Sequence, residues 1–462
     1  MRILALIYFL GVSLVHCNGQ NKVIISGSCA CEKGSQISLR VQDDAILIHE
    51  TDLVKKTSPE DNSFSFILNI NTPVIGFINN QKIYISPGDS ISLMLNNPNE
   101  QGYFSGKNSA HYTLFSELGK FRKTHNNPVL IKFDEASLQE YKTSLIRKRN
   151  DELVFAEDYL KENSHSFLFE EVVEDYLITS YLNDLIYPFY NRAINTLPIN
   201  YLEDINSAML NKESLLAFRE YILFLNRYSI FSVLQASGSN ASPELISLTI
   251  EEIYVGHVQF AQKLFFLSNL MLKGIDHQNL IQKLYLEIKE NASTNQYNLT
   301  MLNRMMDTYS RLGKPLTPEL LQMELIDTEG KLKTLGNVLK NHSGKSIYID
   351  FWASWCGPCI EEMPASEKLD AELSKSANVA FIYVSIDKNP DNWQKGLQKI
   401  KVGKYHYRAG KVTAEAIKSY FDFSSIPRYG IINKIGLLYS YDAPRPSENE
   451  KLKNIFLNDS LK

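Results

Sequence analysis

Two cysteines separated by two residues, Cys356 and Cys359, stand where a strand-like run gives way to a helical one. No other feature constrains the fold so tightly. Residues 346–351, SIYIDF, are apolar enough for a buried strand, and Pro358 opens a helical pattern. A Cys-x-x-Cys at such a junction is the arrangement of a redox pair. Free N–H groups and the positive end of the helix dipole face the first sulfur, which lowers its pKa and supplies a thiolate. Pro358 suits the first turn because it has no N–H to leave unpaired. The two-residue spacing lets Cys359 attack a mixed disulfide formed at Cys356. Cys356 is therefore the expected nucleophile and Cys359 the resolving thiol. Asp350 ends the apolar strand, where burial raises a carboxyl pKa and suits it to take the Cys359 proton. Glu361 and Glu362 fall in the first helical turns, where the dipole favours acids.

What such a pair does depends on its compartment. Residues 1–19, MRILALIYFLGVSLVHCNG, have a basic residue at Arg2, an apolar stretch from 3 to 15 too short to span a bilayer, and a polar end. That pattern reads as a secretory signal. Cys17, in Leu14-Val-His-Cys17, resembles the lipidated cysteine of bacterial lipoproteins, although His16 stands where a small residue is usual. The expected location is the periplasm or cell envelope, with a lipid anchor through Cys17 or plain cleavage near Gly19. Later in the chain no stretch of 18 apolar residues occurs. The net charge of −4 offers no basic surface to nucleic acid. Five cysteines are too few to staple an exported chain of 462 residues, so its stability must come from its cores. No second Cys or His pair lies at zinc spacing, and no metal is expected. The Cys356–Cys359 disulfide itself is the only redox group expected. Cys29 and Cys31 read as two buried thiols or a local disulfide made at a bend near Gly34, or else as a relay pair for Cys356.

The length calls for two or three domains. Residues 20–107 hold short, partly alternating runs (22–26, 36–41, 45–48, 63–70, 90–95) separated by turn residues, which predicts a small antiparallel β-sandwich. Residues 108–315 carry helical periodicity at 136–162, 167–190, 213–231, 243–272 and 297–312, and their Tyr and Phe stripes read as core. Lys314-Pro-Leu-Thr-Pro318 breaks that pattern. Residues 316–462 then alternate strands with helices, which predicts a largely parallel α/β layer.

The stretch Asp350-Phe-Trp-Ala-Ser-Trp-Cys-Gly-Pro-Cys359 strongly resembles the thioredoxin active site. Its continuation to Met363-Pro364 resembles the Cys-x-x-Glu-x-Pro of the extracytoplasmic thiol-disulfide oxidoreductases of the TlpA/ResA type. The resemblance covers about 318–460. It implies a multidomain chain whose C-terminal domain is an α/β thioredoxin-like fold, preceded by the small β-sandwich and the mostly α-helical middle domain. It also implies that Glu362 is the family's active-site glutamate and Pro364 its helix-kinking proline. Ile426-Pro427 matches the cis-proline site whose backbone pairs with the substrate chain. Trp355, Gly357 and Pro358 complete the implied substrate surface. The segment through Trp393 and Val412 looks like the insertion shared by TlpA/ResA-like proteins and peroxiredoxins. One position departs from the pattern: the lysine that thioredoxins place near their buried acid falls here on Tyr383.

The expectation is an exported protein-disulfide reductase. Its substrate is a disulfide-containing protein and, by analogy with the family, its electrons come from a membrane donor. The alternatives are a disulfide-forming oxidant or isomerase, and a cell-envelope binding protein whose redox domain is secondary.

Overall fold

The structure is a computed structural model. It describes residues 21–457 apart from 45–48, 59, 98–100, 126–127, 129, 131, 133, 192–197, 199, 239–240, 273, 275–276, 292–295 and 401–402. The expected signal segment with Cys17 and the expected strand at 45–48 lie outside the described residues. The chain divides into two compact units, Met1–Phe266 and Leu267–Lys462.

In the first unit, eight strands come first: β1 (Lys22–Cys29), β2 (Gln36–Asp44), β3 (His49–Lys56), β4 (Ser63–Asn69), β5 (Val74–Ile78), β6 (Gln81–Ile85), β7 (Ser90–Leu95) and β8 (Tyr103–Gly106). They form two four-stranded sheets, ordered β4-β1-β7-β8 and β3-β2-β5-β6. One hydrophobic core draws on both, with Val23, Ile25, Phe66 and Leu93 from the first and Leu39, Ile78 and Ile83 from the second. In β7, Ile91, Leu93 and Leu95 are buried while Ser90, Ser92 and Met94 are exposed, the period of two of a half-buried strand. The expected all-antiparallel pairing needs one correction: β1 and β7 pair in parallel. The chain leaves the first sheet, makes the β5–β6 hairpin in the second, and returns running in the direction of β1. That hairpin turns on Asn79 and Asn80, both at positive φ (46° and 71°), as a tight two-residue turn requires. Cys29 and Cys31 form a local disulfide with Cα atoms 5.1 Å apart. The chain bends there at the end of β1, and Gly34 takes a positive φ.

Helices follow: α1 (Ala110–Thr124), α2 (Glu135–Glu162), α3 (Phe167–Asn191), the short α4 (Ser207–Leu210), α5 (Arg219–Ser237), α6 (Pro243–Ile253) and α7 (Gly256–Leu272). Residues of α1, α2 and α3 bury Leu114, Phe115, Leu160, Phe169 and Val173 against Ile75 and Tyr84 of the second sheet. The helix expected over 243–272 is two helices. Tyr254 interrupts it, its hydroxyl bonded to the Leu225 carbonyl at 2.7 Å, and Gly256 takes a positive φ.

In the second unit, α8 (Gln278–Asn291), α9 (Gln296–Tyr309) and α10 (Pro318–Leu321) precede β9 (Glu324–Asp327), β10 (Leu332–Thr334) and α11 (Leu335–Lys340). The remainder is β11 (Ser346–Trp352), α12 (Gly357–Ser376), β12 (Val379–Ser385), α13 (Pro390–Ile400), β13 (Tyr405–Ala409), α14 (Lys411–Tyr420), β14 (Arg428–Ile432), β15 (Leu438–Ser440) and α15 (Asn449–Leu457). The compact unit thus begins well before the expected boundary at 315/316. Arg304 of α9 pairs with Asp422, Arg311 donates to the Ser419 carbonyl, and Gly313 and Lys314 exchange backbone hydrogen bonds with Leu438.

The seven strands form one sheet ordered β10-β9-β13-β12-β11-β14-β15. Every residue of β11 and β12 is buried, as in central strands covered on both faces. The sheet is mixed rather than largely parallel. Only β11–β12 and β12–β13 run parallel, each joined through a crossover helix, α12 or α13. The tight turns at Gly330 and Gly436 make β9–β10 and β14–β15 antiparallel, and β13–β9 and β11–β14 are antiparallel as well.

Candidate active site

Strand β11 is buried along its whole length, and it delivers the chain to a short loop from which α12 starts. Cys356 is the N-cap of α12, and its Sγ accepts the Cys359 N–H at 3.2 Å. A sulfur there receives both the free N–H groups and the positive end of a 20-residue helix. The two cysteines are joined in a disulfide, with Cα atoms 5.3 Å apart. Cys356 is itself only 4% exposed, but its chain neighbours are open to solvent. Trp355, Gly357 and Pro358 are exposed around Cys356, and nothing lies within 4 Å of where a Cβ on Gly357 would stand. Cys359 is 1% exposed, beneath the first turn. Pro358 lies in that first turn and Pro364 inside the helix.

Asp350 lies on β11, two residues before its end. It is fully buried, and neither carboxyl oxygen has a hydrogen-bond partner among the described residues. Burial pushes its pKa well above the usual carboxylate range, and the nearby Glu362 charge pushes it further. Glu362 is half-buried on α12, and its two oxygens accept the Ser447 N–H and Oγ–H, each at 2.9 Å. Tyr383 of β12 and Tyr429 of β14 are the register partners of Asp350 on its two sides. Tyr383 shares a 2.9 Å hydrogen bond with Ser366 of α12, so this site ties helix to sheet where thioredoxins carry a lysine.

The Ile426–Pro427 peptide bond is cis. Since Arg428 pairs with Phe351, Pro427 lies beside the end of β11, next to the loop that carries the cysteines. Ile426 and Pro427 are both half-exposed there.

Several residues that shape the site were not singled out from sequence. Asp387, 1% exposed, accepts the Ser354 N–H, the Ser354 hydroxyl and the Ser385 hydroxyl, each at 2.8 Å. It thereby fixes the loop just before Trp355 and Cys356. From the other side α13 presses on the same loop: a Cβ on Gly396 would stand 2.8 Å from Ser354 Cβ and 3.4 Å from the Trp352 ring. Asp387 carried the same signal as Asp350, an acid closing an apolar strand. Ser447 and Gly396 carried none.

With one sulfur at a helix N-terminus beside exposed residues, a second sulfur beneath it and a buried acid, the arrangement suits thiol-disulfide exchange. The chain is similar to known proteins over part of its length. A thioredoxin-like family profile matches residues 344–437. The thioredoxin-like protein YneN of Bacillus subtilis is 45% identical over 62 residues, 13% of this chain and 36% of that protein. The thiol-disulfide oxidoreductase ResA of Oceanobacillus iheyensis is 43% identical over 49 residues, 11% of this chain and 25% of that one. Among solved structures, a Bacteroides vulgatus protein described as a thiol-disulfide oxidoreductase is 34% identical. It aligns over 33% of this chain and 96% of its own, with a TM-score of 0.27. The chain spans about a third to a half of the length of the first curated relatives it matches.

Proposed function

We propose, from the premise that the C-terminal domain of this chain is a thioredoxin-like domain of the TlpA/ResA thiol-disulfide oxidoreductase type, that the chain reduces protein disulfides through Cys356 and Cys359. The observation that carries this reading is the Cys356 sulfur at the α12 N-cap, accepting the Cys359 N–H. In the reduced state that position stabilises a Cys356 thiolate. The thiolate attacks one sulfur of a substrate disulfide, forms a mixed disulfide and releases the other substrate sulfur as a thiolate. Cys359 then attacks Cys356 Sγ while its proton passes to Asp350. The second substrate sulfur leaves, and the protein is left with the Cys356–Cys359 bond seen here. Glu362 manages protons beside Asp350. Trp355, Gly357, Pro358, Ile426 and Pro427 form the surface over which the substrate chain lies.

The apolar leader at 1–19 supports export to the cell envelope, with either a lipid anchor at Cys17 or plain cleavage near Gly19. Among the described residues no helix is long and apolar enough to cross a membrane. A reductase outside the cytoplasm must be recharged, so a membrane electron donor belongs to this reading. The two four-stranded sheets with their common core are read as a β-sandwich that, with the helices after it, serves as an accessory region.

The Cys359→Ser variant tests the two-step scheme. Reduced and mixed with a disulfide-bonded peptide, it should accumulate a covalent adduct at Cys356, seen by mass spectrometry and released by dithiothreitol. If no adduct forms while the native dithiol reduces the same peptide, Cys356 is not the attacking sulfur.

A further inference from the structure

The segment that leads into Ile426–Pro427 is held by side chains from α9 and the turn after it. Helix α14 ends at Tyr420, and the last carbonyls of a helix have no partner within it. Arg311, two residues past the end of α9, supplies one. Its Nη1 donates to the Ser419 carbonyl at 3.0 Å and to the Tyr420 carbonyl, and its guanidinium lies over the Tyr420 ring, 5.1 Å from the centroid. A cation is also the charge that a helix C-terminus favours. Asp422 then takes a φ of 48°, a left-handed conformation that turns the chain out of the helix. Its Oδ1 accepts from Arg304 of α9, from Nε at 2.8 Å and from Nη2 at 2.5 Å. Just past the turn, the Phe423 N–H donates back to the Lys418 carbonyl at 3.0 Å, and the Phe423 ring stacks on Phe351 of β11 with centroids 5.2 Å apart. Only Ser424, Ser425 and Ile426 separate Phe423 from Pro427. The turn at 419–423 therefore sets where the cis-proline segment starts.

We propose that Arg304 and Arg311 are positioning residues of the exchange, which clasp residues 419–422 and so hold the Ile426–Pro427 segment ready to pair with a substrate chain. This rests on the reading of that segment as part of the substrate surface. Both arginines precede residues 344–437, the span matched by the thioredoxin-like profile, so the clasp comes from the helical segment ahead of that span. The substrate it serves is an extended polypeptide that flanks the target disulfide. A small disulfide with no chain to pair gains nothing from it. The Arg304 side chain is 54% exposed, and a lone ion pair so open to solvent contributes little. The Arg311 bonds to backbone carbonyls reinforce it, so the two arginines act on the turn together.

The double variant Arg304→Ala/Arg311→Ala, made in the full chain, tests it with two substrates. One is a peptide with an internal disulfide, and the other is 2-hydroxyethyl disulfide, which has no peptide backbone. KM for the peptide should rise about tenfold, the scale of losing one or two hydrogen bonds that order the pairing segment. The rate with 2-hydroxyethyl disulfide should match that of the native protein, because Cys356 and Cys359 are untouched. A native KM for the peptide would overturn the proposal. So would an equal loss with both substrates, since the arginines would then hold the fold and not the substrate segment. If the native protein reduced neither disulfide, the functional reading beneath the proposal would fall instead.

Discussion

Cys356→Ser should reduce the rate of disulfide reduction to that without protein, a drop of at least about a thousandfold, the scale of an enzyme that loses its nucleophile. The loss should come without unfolding. A serine at the α12 N-cap still offers an oxygen to the Cys359 N–H, and serine is among the preferred N-cap residues. Circular dichroism and the urea midpoint of the reduced variant should therefore stay close to those of the reduced native protein, while reduction of a peptide disulfide stops. The combination shows that the loss comes from the missing sulfur and not from a damaged fold. If Cys356→Ser still reduced disulfides at the native rate, the site would be wrongly assigned.

The second large effect has opposite signs for stability and for rate. Asp350 has no hydrogen-bond partner for either oxygen and sits in a fully buried position. Its folded-state pKa lies well above 3.8, through burial first and the Glu362 charge second. The native state therefore holds a proton that the unfolded chain gives up. Below pH about 3.8 both states are protonated and nothing is lost. As pH rises toward the folded-state pKa, stability falls by about 1.4 kcal/mol for each unit crossed, and above that pKa the loss is constant. Asp350→Asn is neutral at every pH. It should match the native protein in acid and exceed it at pH 7, as read from urea midpoints on the two reduced proteins. The same variant should lose about a hundredfold or more in the step in which Cys359 resolves the mixed disulfide, the range of general base catalysis. A variant no more stable than native at pH 7 would mean that Asp350 costs the fold nothing.

Local patterns carried most of what could be read from the sequence. The strand before the cysteines, the helix opened by Pro358 and the strand at 379–385 were legible because each is a continuous run with one kind of periodicity or punctuation. The long helices at 135–162 and 167–191 were legible for the same reason. The β5–β6 hairpin was not, because its strands are five residues each and its turn is Asn-Asn rather than the commoner Asn-Gly. Sheet direction was hidden in both units. The parallel β1–β7 pair and the antiparallel β14 and β9 depend on where the chain returns, which no local pattern encodes. In the site, Cys356, Cys359 and Asp350 announce themselves by type and position. Ser447 reaches Glu362 across 85 residues of chain, and Gly396 meets Ser354 only because α13 folds back over the loop.

The central claim is that this dithiol gives electrons to disulfides, and the reduction potential of the Cys356/Cys359 couple tests it most directly. It can be measured by equilibration with glutathione or dithiothreitol on protein lacking residues 1–19. The account predicts a value near that of thioredoxin, about −270 mV. A value near that of DsbA, about −120 mV, would make the protein an oxidant that forms disulfides and would contradict the reductase reading.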